Sequence, residues 1–216
     1  MNINQTARRS SLEMNSVLRN AFMGVGVELS VYSLAMFLGM QLGFGFMASI
    51  ACWIGSFAII FILPKFQDSM VGFGLANVMA GLLGFSAAPA MAYYLGAGYE
   101  SEVLMAVAST AAITFGLSAY AQISKKDFSF LGGFIFAAII GIIAISLLNM
   151  FFFKSSMLSL AMAYVGVVIF SIAILYEVSL VVTEKNGNWI MASVGIFISI
   201  INLFWSLVRI FTSSSD

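Results

Sequence analysis

The chain is built from long apolar runs separated by short polar breaks. A helix needs about 20 mostly apolar residues to cross a bilayer, and seven runs reach or approach that length. Strands of a membrane barrel would be about ten residues long and alternate in polarity, whereas these runs are continuous. The predicted spans are residues 22–40, 46–63, 70–95, 103–123, 130–153, 157–182 and 189–211. The pattern therefore predicts an all-α membrane protein, a bundle of seven transmembrane helices.

Composition supports this assignment to the lipid bilayer. Of the 216 residues, 62% are hydrophobic and only 8% are charged, and the mean hydropathy is +1.05. Soluble domains carry about 25% charged residues, so this chain has too little polar surface to cover a globule in water. The connections between the runs are short, which predicts one transmembrane domain over residues 21–212.

The first 20 residues are polar and have no small-residue cleavage site behind a short apolar core, which predicts a retained cytosolic tail rather than a signal peptide. Positive residues on short loops favour the cytoplasmic side. With the N-terminus in the cytoplasm, Lys154 and Arg209 lie on the outer side of the membrane. The other basic residues lie on the cytoplasmic side, namely Arg8, Arg9, Arg19, Lys65, Lys125, Lys126 and Lys185. Seven spans then place the C-terminus outside.

Several classes of enzyme lack the residues that they need. The chain has no histidine, which removes His-ligated zinc hydrolases and Ser/His dyads. Its aspartates lie in loops or tails, whereas a membrane aspartyl protease needs two that are buried together. No phosphate loop of the Walker type is present. We therefore expect a protein without catalytic activity, cofactor, bound metal or nucleic-acid partner.

Small residues recur at every fourth position in some spans, a spacing that lets membrane helices approach closely. The third span carries Gly72, Ala76, Ala80, Gly84 and Ala88, and the fifth carries Gly133, Ala137 and Gly141. Both stripes are predicted to be helix contacts; a pore lined by small residues is the alternative.

Two carboxylates lie inside the spans, and ionisable residues there are candidates for function. Glu28 is in the first span and Glu177 in the sixth, both in the predicted cytoplasmic half. A buried carboxyl group can change its protonation with cytoplasmic pH. When charged, Glu177 would attract a cation; when neutral, it could donate a hydrogen bond to Ser199 or Asn202. The alternative is a permanently protonated structural group.

The seventh span adds a polar stripe on one helix face, because Ser199, Asn202, Ser206 and Arg209 are spaced three, four and three apart. Such side chains commonly join packed membrane helices by hydrogen bonds, and the alternative is one wall of a polar cavity. Arg209, near the outer end, is expected to extend its charged group to the membrane interface. The candidates for a pH switch or a cation path are thus Glu177, Ser199, Asn202 and Glu28, with Ser206 and Arg209 assigned to helix contact or the interface.

Four stretches, taken in order along the chain, resemble the Bax inhibitor family of small seven-helix membrane proteins. They are VLRNAF near the start, KKDFSFLGGF before the fifth span, ILYEVSLVV in the sixth and INLFWSLVRIF in the last. The chain is most similar to the bacterial YccA-type branch, known for modulating the FtsH membrane protease. The resemblance implies a central helix surrounded by six others and a place in the bacterial inner membrane.

The resemblance also implies two functions. The first is a non-enzymatic modulator bound to a membrane AAA protease, with the N-terminal tail as the natural handle. The second is a pH-sensitive leak for calcium or other cations, which some members gate with one acid on the sixth helix and one on the seventh. Glu177 matches the first acid, but Ser199 occupies the second position, so two carboxyl groups cannot titrate as a coupled pair here.

Overall fold

A computed structural model describes residues 3–183, 185 and 187–214, with side chains from Ser16 onward. Within that part the chain is helical, without strands, and seven helices are long and apolar enough to cross a membrane. The helices are α1 (Ile3–Gln41), α2 (Phe46–Ile62), α3 (Met70–Gly96), α4 (Glu100–Ser124), α5 (Gly132–Leu148), α6 (Ser156–Val182) and α7 (Trp189–Ser213). The predicted all-α fold with seven spans is therefore confirmed.

The helix ends follow local chemistry. Ser69 and Ser155 precede α3 and α6, and their hydroxyls accept hydrogen bonds from the backbone N–H groups of Gly72 and Leu158. This is the preferred way to satisfy the free N–H groups of a first turn. Pro64 lies in the short 3₁₀ turn that closes α2, as the sequence predicts, whereas α3 continues through Pro89.

Helix α1 is longer than the predicted first span. It runs for 39 residues from Ile3, and only Ser16–Gln41 of it has the composition of a span. The polar N-terminal segment, predicted to be a cytosolic tail, is thus helical from Ile3 and continuous with the span. The division into a tail over residues 1–20 and a transmembrane domain over 21–212 stays a prediction.

The chain forms two compact units. The first unit comprises Met1–Gly98 and Asn186–Phe197, and the second comprises Tyr99–Lys185 and Ile198–Asp216. Helix α7 begins in the first and ends in the second. Among the described helices it is the most enclosed, with 61% of its most apolar stretch buried against at most 33% elsewhere.

Small residues bring α1 and α3 together in the first unit. The stripe from Gly72 to Ala88 is buried. A methyl group on Gly84 would collide with the backbone oxygen of Tyr32, and one on Gly39 would lie 2.7 Å from the Cβ of Ala88. Only hydrogen fits at such a backbone approach, so this stripe is the predicted helix contact.

The stripe on the fifth span makes no helix contact among the described residues, so its predicted role as a contact stays a prediction. A methyl group added at Gly133 or Gly141 would meet no other side chain or helix within 4 Å, and Ala137 is exposed. Only 6% of the most apolar stretch of α5 is buried. Lipid solvates apolar side chains as well as another helix does, so small residues at the right spacing need not mark a contact.

Candidate functional site

The deepest polar contact in the first unit joins α1 to α7. Glu28 is fully buried, with 0% of its surface exposed, and its Oε1 accepts a hydrogen bond of 2.9 Å from the Ser193 hydroxyl. The same hydroxyl also approaches the backbone oxygen of Ile190 at 2.9 Å. The second oxygen, Oε2, is buried and has no hydrogen-bond partner among the described residues. A buried polar atom without a partner is costly, which makes Glu28 a candidate for function.

Gly24 makes this contact possible. It lies one turn before Glu28 on the same face of α1, and a methyl group there would lie 2.8 Å from the Cβ of Ser193 and 3.0 Å from its Oγ. Only a glycine lets α7 come close enough for Ser193 to reach Glu28. The sequence points to Glu28 as an acid inside a span, but Ser193 is missed because it lies outside the polar stripe that begins at Ser199.

Glu177 has a different environment, in the second unit. It is partly buried on α6, and within the described part of the chain it makes no hydrogen bond or ion pair. A hydrogen bond from the neutral carboxyl group of Glu177 to Ser199 or Asn202 stays a prediction. Ser199 is buried. Glu28 and Glu177 belong to different units.

Two members of the polar stripe on α7 make hydrogen bonds within their own helix. The Asn202 amide donates to the backbone oxygen of Ile198 at 2.8 Å, and the Ser206 hydroxyl donates to that of Asn202 at 2.8 Å. Ser206 also packs against Gly166 of α6, where a methyl group would collide with its Oγ. Arg209, one turn further, is partly buried and lines a cavity at the end of the helix.

A polar cluster joins two loops of the second unit. Lys185 Nζ donates to Asp127 Oδ2 at 2.6 Å and to Ser129 Oγ at 2.8 Å, while Asp127 Oδ1 accepts from the Ser129 backbone at 2.9 Å. The hydrogen bond from Lys185, followed by those from Ser129, lowers the pKa of Asp127 to about 2. The cluster connects the α4–α5 loop to the end of α6. Sequence spacing does not reveal it, because the partners are 58 residues apart.

A second connection lies in the first unit, at the start of α7. The Asn188 amide donates to the backbone oxygen of Gln67 at 2.9 Å and to Asp68 Oδ1 at 2.8 Å. Its side-chain oxygen accepts from the backbone N–H of Met191 at 2.9 Å, which caps α7. The hydrogen bonds of Asn188 thus connect the α2–α3 loop to the first turn of α7.

The described residues include no cluster of three or more acidic, cysteine or histidine side chains that could hold a metal ion. A calcium ion takes six to eight oxygen ligands. A cation near Glu28 or Glu177 would therefore need water or backbone oxygens for much of its coordination shell.

Comparison with known proteins covers nearly the whole chain. The family described as "Inhibitor of apoptosis-promoting Bax1" matches residues 14–216. A Vibrio cholerae protein described as an uncharacterized membrane protein is 32% identical over 216 residues, covering 97% of this chain and 96% of its own. The Escherichia coli K12 protein named "Modulator of FtsH protease YccA" is 31% identical over 203 residues, covering 94% and 92%.

These matches agree with the family resemblance predicted from the sequence. The family match extends over both units, so it describes the entire bundle and not one fragment of it. The chain is a multi-pass membrane protein that belongs to the Bax inhibitor family.

Proposed function

We propose that this chain is a non-enzymatic modulator of an FtsH-type AAA protease in the bacterial inner membrane. The observation that carries the proposal is the similarity, over 94% of the chain, to a relative named as a modulator of that protease. A second relative is named as an inner membrane protein. The proposal includes the predicted orientation, with the N-terminus in the cytoplasm and the C-terminus outside.

The N-terminal extension of α1 is the proposed docking element. Residues 3–15 precede the first span and continue its helix, and at 1.5 Å per residue they would reach about 20 Å beyond it. The extension carries Arg8 and Arg9. Because the backbone of this extension is helical and continuous with the span, it is a defined element for docking on a protease domain close to the membrane surface.

The test is reconstitution of the full chain with a purified FtsH-type protease in liposomes. Turnover of a labelled membrane substrate is measured with the chain present, absent or lacking residues 2–15. We expect the chain to change the turnover rate and the deletion to remove that change. Gly26→Ala, at an exposed position with open space around it, is the matched control and should behave like the unaltered chain.

An unchanged turnover rate, at a molar excess of correctly folded chain, would contradict the modulator role. A change in rate that survives the deletion would keep the role and exclude the α1 extension as the docking element. Pull-down of the protease with the full chain, repeated with the shortened chain, separates docking from inhibition.

A second candidate function is a pH-sensitive cation leak, and one observation favours it. Glu177 lies in an apolar helix without a hydrogen bond or ion pair among the described residues, so its carboxyl group is free to bind a proton or a cation. Calcium flux from proteoliposomes, compared at acidic and neutral pH for the unaltered chain and Glu177→Gln, tests it. Unaltered flux and pH dependence in the variant would remove Glu177 as the gate.

A further inference from the structure

A cavity of about 500 Å³ opens in the second unit, where α5 ends, α6 begins and α7 ends. Three helices that span the membrane terminate around it, so it lies at the level of a membrane interface. Its polar lining includes Asn149, Lys154, Ser155, Ser156, Ser159 and Arg209. Two of these side chains are cations, and the described residues that line the cavity include no carboxylate.

Neither cation has a counter-charge among the described residues. Within the described residues, neither the Lys154 ammonium group nor the Arg209 guanidinium group makes an ion pair or a side-chain hydrogen bond. The Nε of Arg209 is buried there without a partner. A buried charged donor without an acceptor is costly, and an anion in the cavity would remove that cost. A guanidinium group also matches a phosphate with two parallel hydrogen bonds.

Asn149 organises the wall of the cavity that carries Lys154. Its amide donates to the backbone oxygen of Ser155 at 3.0 Å and to the Ser159 hydroxyl at 2.8 Å, while its oxygen accepts from the Ser155 backbone at 2.9 Å. This network holds the turn before α6, where Lys154 adopts a left-handed backbone conformation with φ of 48°. The positive end of the α6 helix dipole therefore faces the same cavity.

The two cations of this cavity differ from the other Lys and Arg residues in the side of the membrane on which they are predicted to lie. With the predicted orientation, seven of the nine Lys and Arg residues lie on the cytoplasmic side. The two that remain outside, Lys154 and Arg209, are 55 positions apart in the sequence, yet both line this one cavity. Outer positive charge runs against the usual bias of membrane proteins, which points to a specific use for the pair.

The surface beside the cavity is strongly apolar. Met150, Phe151, Phe152 and Phe153 continue α5 next to the cavity and are largely exposed. A ligand that fits both surfaces has an anionic head and an apolar chain. A free anion would use the cations and leave the aromatic surface without a role.

We propose that this cavity binds the phosphate headgroup of an anionic phospholipid. Lys154 and Arg209 hold the phosphate at the start of α6, and an acyl chain lies along the Phe151–Phe153 surface. Basic pockets between transmembrane helices bind anionic lipid headgroups on the cytoplasmic side of membranes, and the same pairing of a cation with a phosphate is available to this cavity. The lipid would hold the ends of α5, α6 and α7 together at this interface.

The test is native mass spectrometry of the full chain, released from micelles that contain equal amounts of phosphatidylglycerol and phosphatidylcholine with identical acyl chains. We expect the protein to retain phosphatidylglycerol in preference. Each of Lys154→Gln and Arg209→Gln should weaken that retention about fivefold, the effect of one cation near a lipid headgroup. Lys65→Gln, which removes an exposed lysine in the first unit, is the matched control and should change nothing.

Lys154 is exposed, so Lys154→Gln is expected to fold. The test therefore stays decisive even if Arg209→Gln fails to fold. Equal retention of the two lipids, or a preference unaffected by Lys154→Gln, would overturn the proposal. Excess inorganic phosphate is added in a separate arm. Complete displacement of the lipid by phosphate would also overturn it, since the site would then take the free anion and not the amphipathic ligand.

Discussion

The close approach of α1 and α7 at Gly24 allows a quantitative prediction. Gly24→Ala adds a methyl carbon that would lie 2.8 Å from the Cβ of Ser193 and 3.0 Å from its Oγ. Carbon atoms pack best at about 3.5–4.0 Å, so the two helices must separate by roughly 0.7 Å or more. The hydrogen bond from Ser193 to Glu28, now 2.9 Å, would then reach about 3.6 Å, which is too long for a hydrogen bond.

The magnitude follows from three effects. Forcing an extra methyl group into a packed site costs roughly 1–3 kcal/mol, and leaving a buried polar group without its partner costs about 1–3 kcal/mol. Replacing glycine by alanine within a helix contributes about 0.5–1 kcal/mol in the opposite direction. Because separation relieves part of the collision while breaking the bond, the first two costs overlap. We expect Gly24→Ala to lower the free energy of unfolding by about 2 kcal/mol.

Gly26→Ala is the control because it changes the same residue type on the same helix. A methyl group at Gly26 meets nothing within 4 Å, so only the helix-propensity effect remains, and stability should be unchanged or raised by up to about 1 kcal/mol. The difference between the two variants, roughly 2–3 kcal/mol, isolates the contact with Ser193. Equilibrium unfolding of the full chain in mild detergent, titrated with a denaturing detergent and followed by circular dichroism, measures it.

A partner substitution sharpens the test. Ser193→Gly removes both atoms that the new methyl group would meet, so the double variant should be more stable than the sum of the two single losses implies. If Gly24→Ala proves as stable as Gly26→Ala, or if Ser193→Gly gives no such rescue, the described approach of α1 and α7 is wrong.

Two further predictions concern other contacts. Gly84→Ala should lower the free energy of unfolding by roughly 1–3 kcal/mol, because its methyl group collides with the Tyr32 backbone oxygen. The control Gly74→Ala has open space around it and should be neutral in the same unfolding assay. Equal stability of the two variants would contradict the α1–α3 contact. Asp127→Asn should slightly lower the thermal unfolding temperature at neutral pH by removing the contact with Lys185, both partners being 47% exposed. Since the pKa of Asp127 is lowered from 3.8 to about 2, this contribution is present above pH 4 and is lost as the pH falls towards 2. If the difference in unfolding temperature between variant and parent changes between pH 5 and pH 8, another group is responsible.

The architecture could be read from the sequence because the solvent imposes it. In lipid a backbone must satisfy its own hydrogen bonds, so each long apolar run becomes a helix, and the seven predicted spans agree with the observed ones to within a few residues at most ends. The largest departure is α1, which begins at Ile3. Hydropathy marks where a span enters the membrane but not where a helix starts.

Spacing alone could not decide which faces meet. The stripes on α3 and α5 have the same small residues at the same interval, yet the first is packed against α1 and the second meets no helix among the described residues. Lipid and protein are equally good surroundings for an apolar helix face, so the choice depends on what the rest of the bundle places opposite it.

By itself the sequence determined the class, the number of spans, the family resemblance and the acids that lie within the membrane. Only the tertiary structure decided what those acids touch. Glu28 accepts a hydrogen bond from Ser193 because Gly24 lets α7 approach α1 closely. Glu177 makes no hydrogen bond or ion pair within the described residues. Lys154 and Arg209, far apart along the chain, come to line one cavity. The helical state of each span follows from its composition in lipid, but burial and partners across helices follow from packing, which no local pattern encodes.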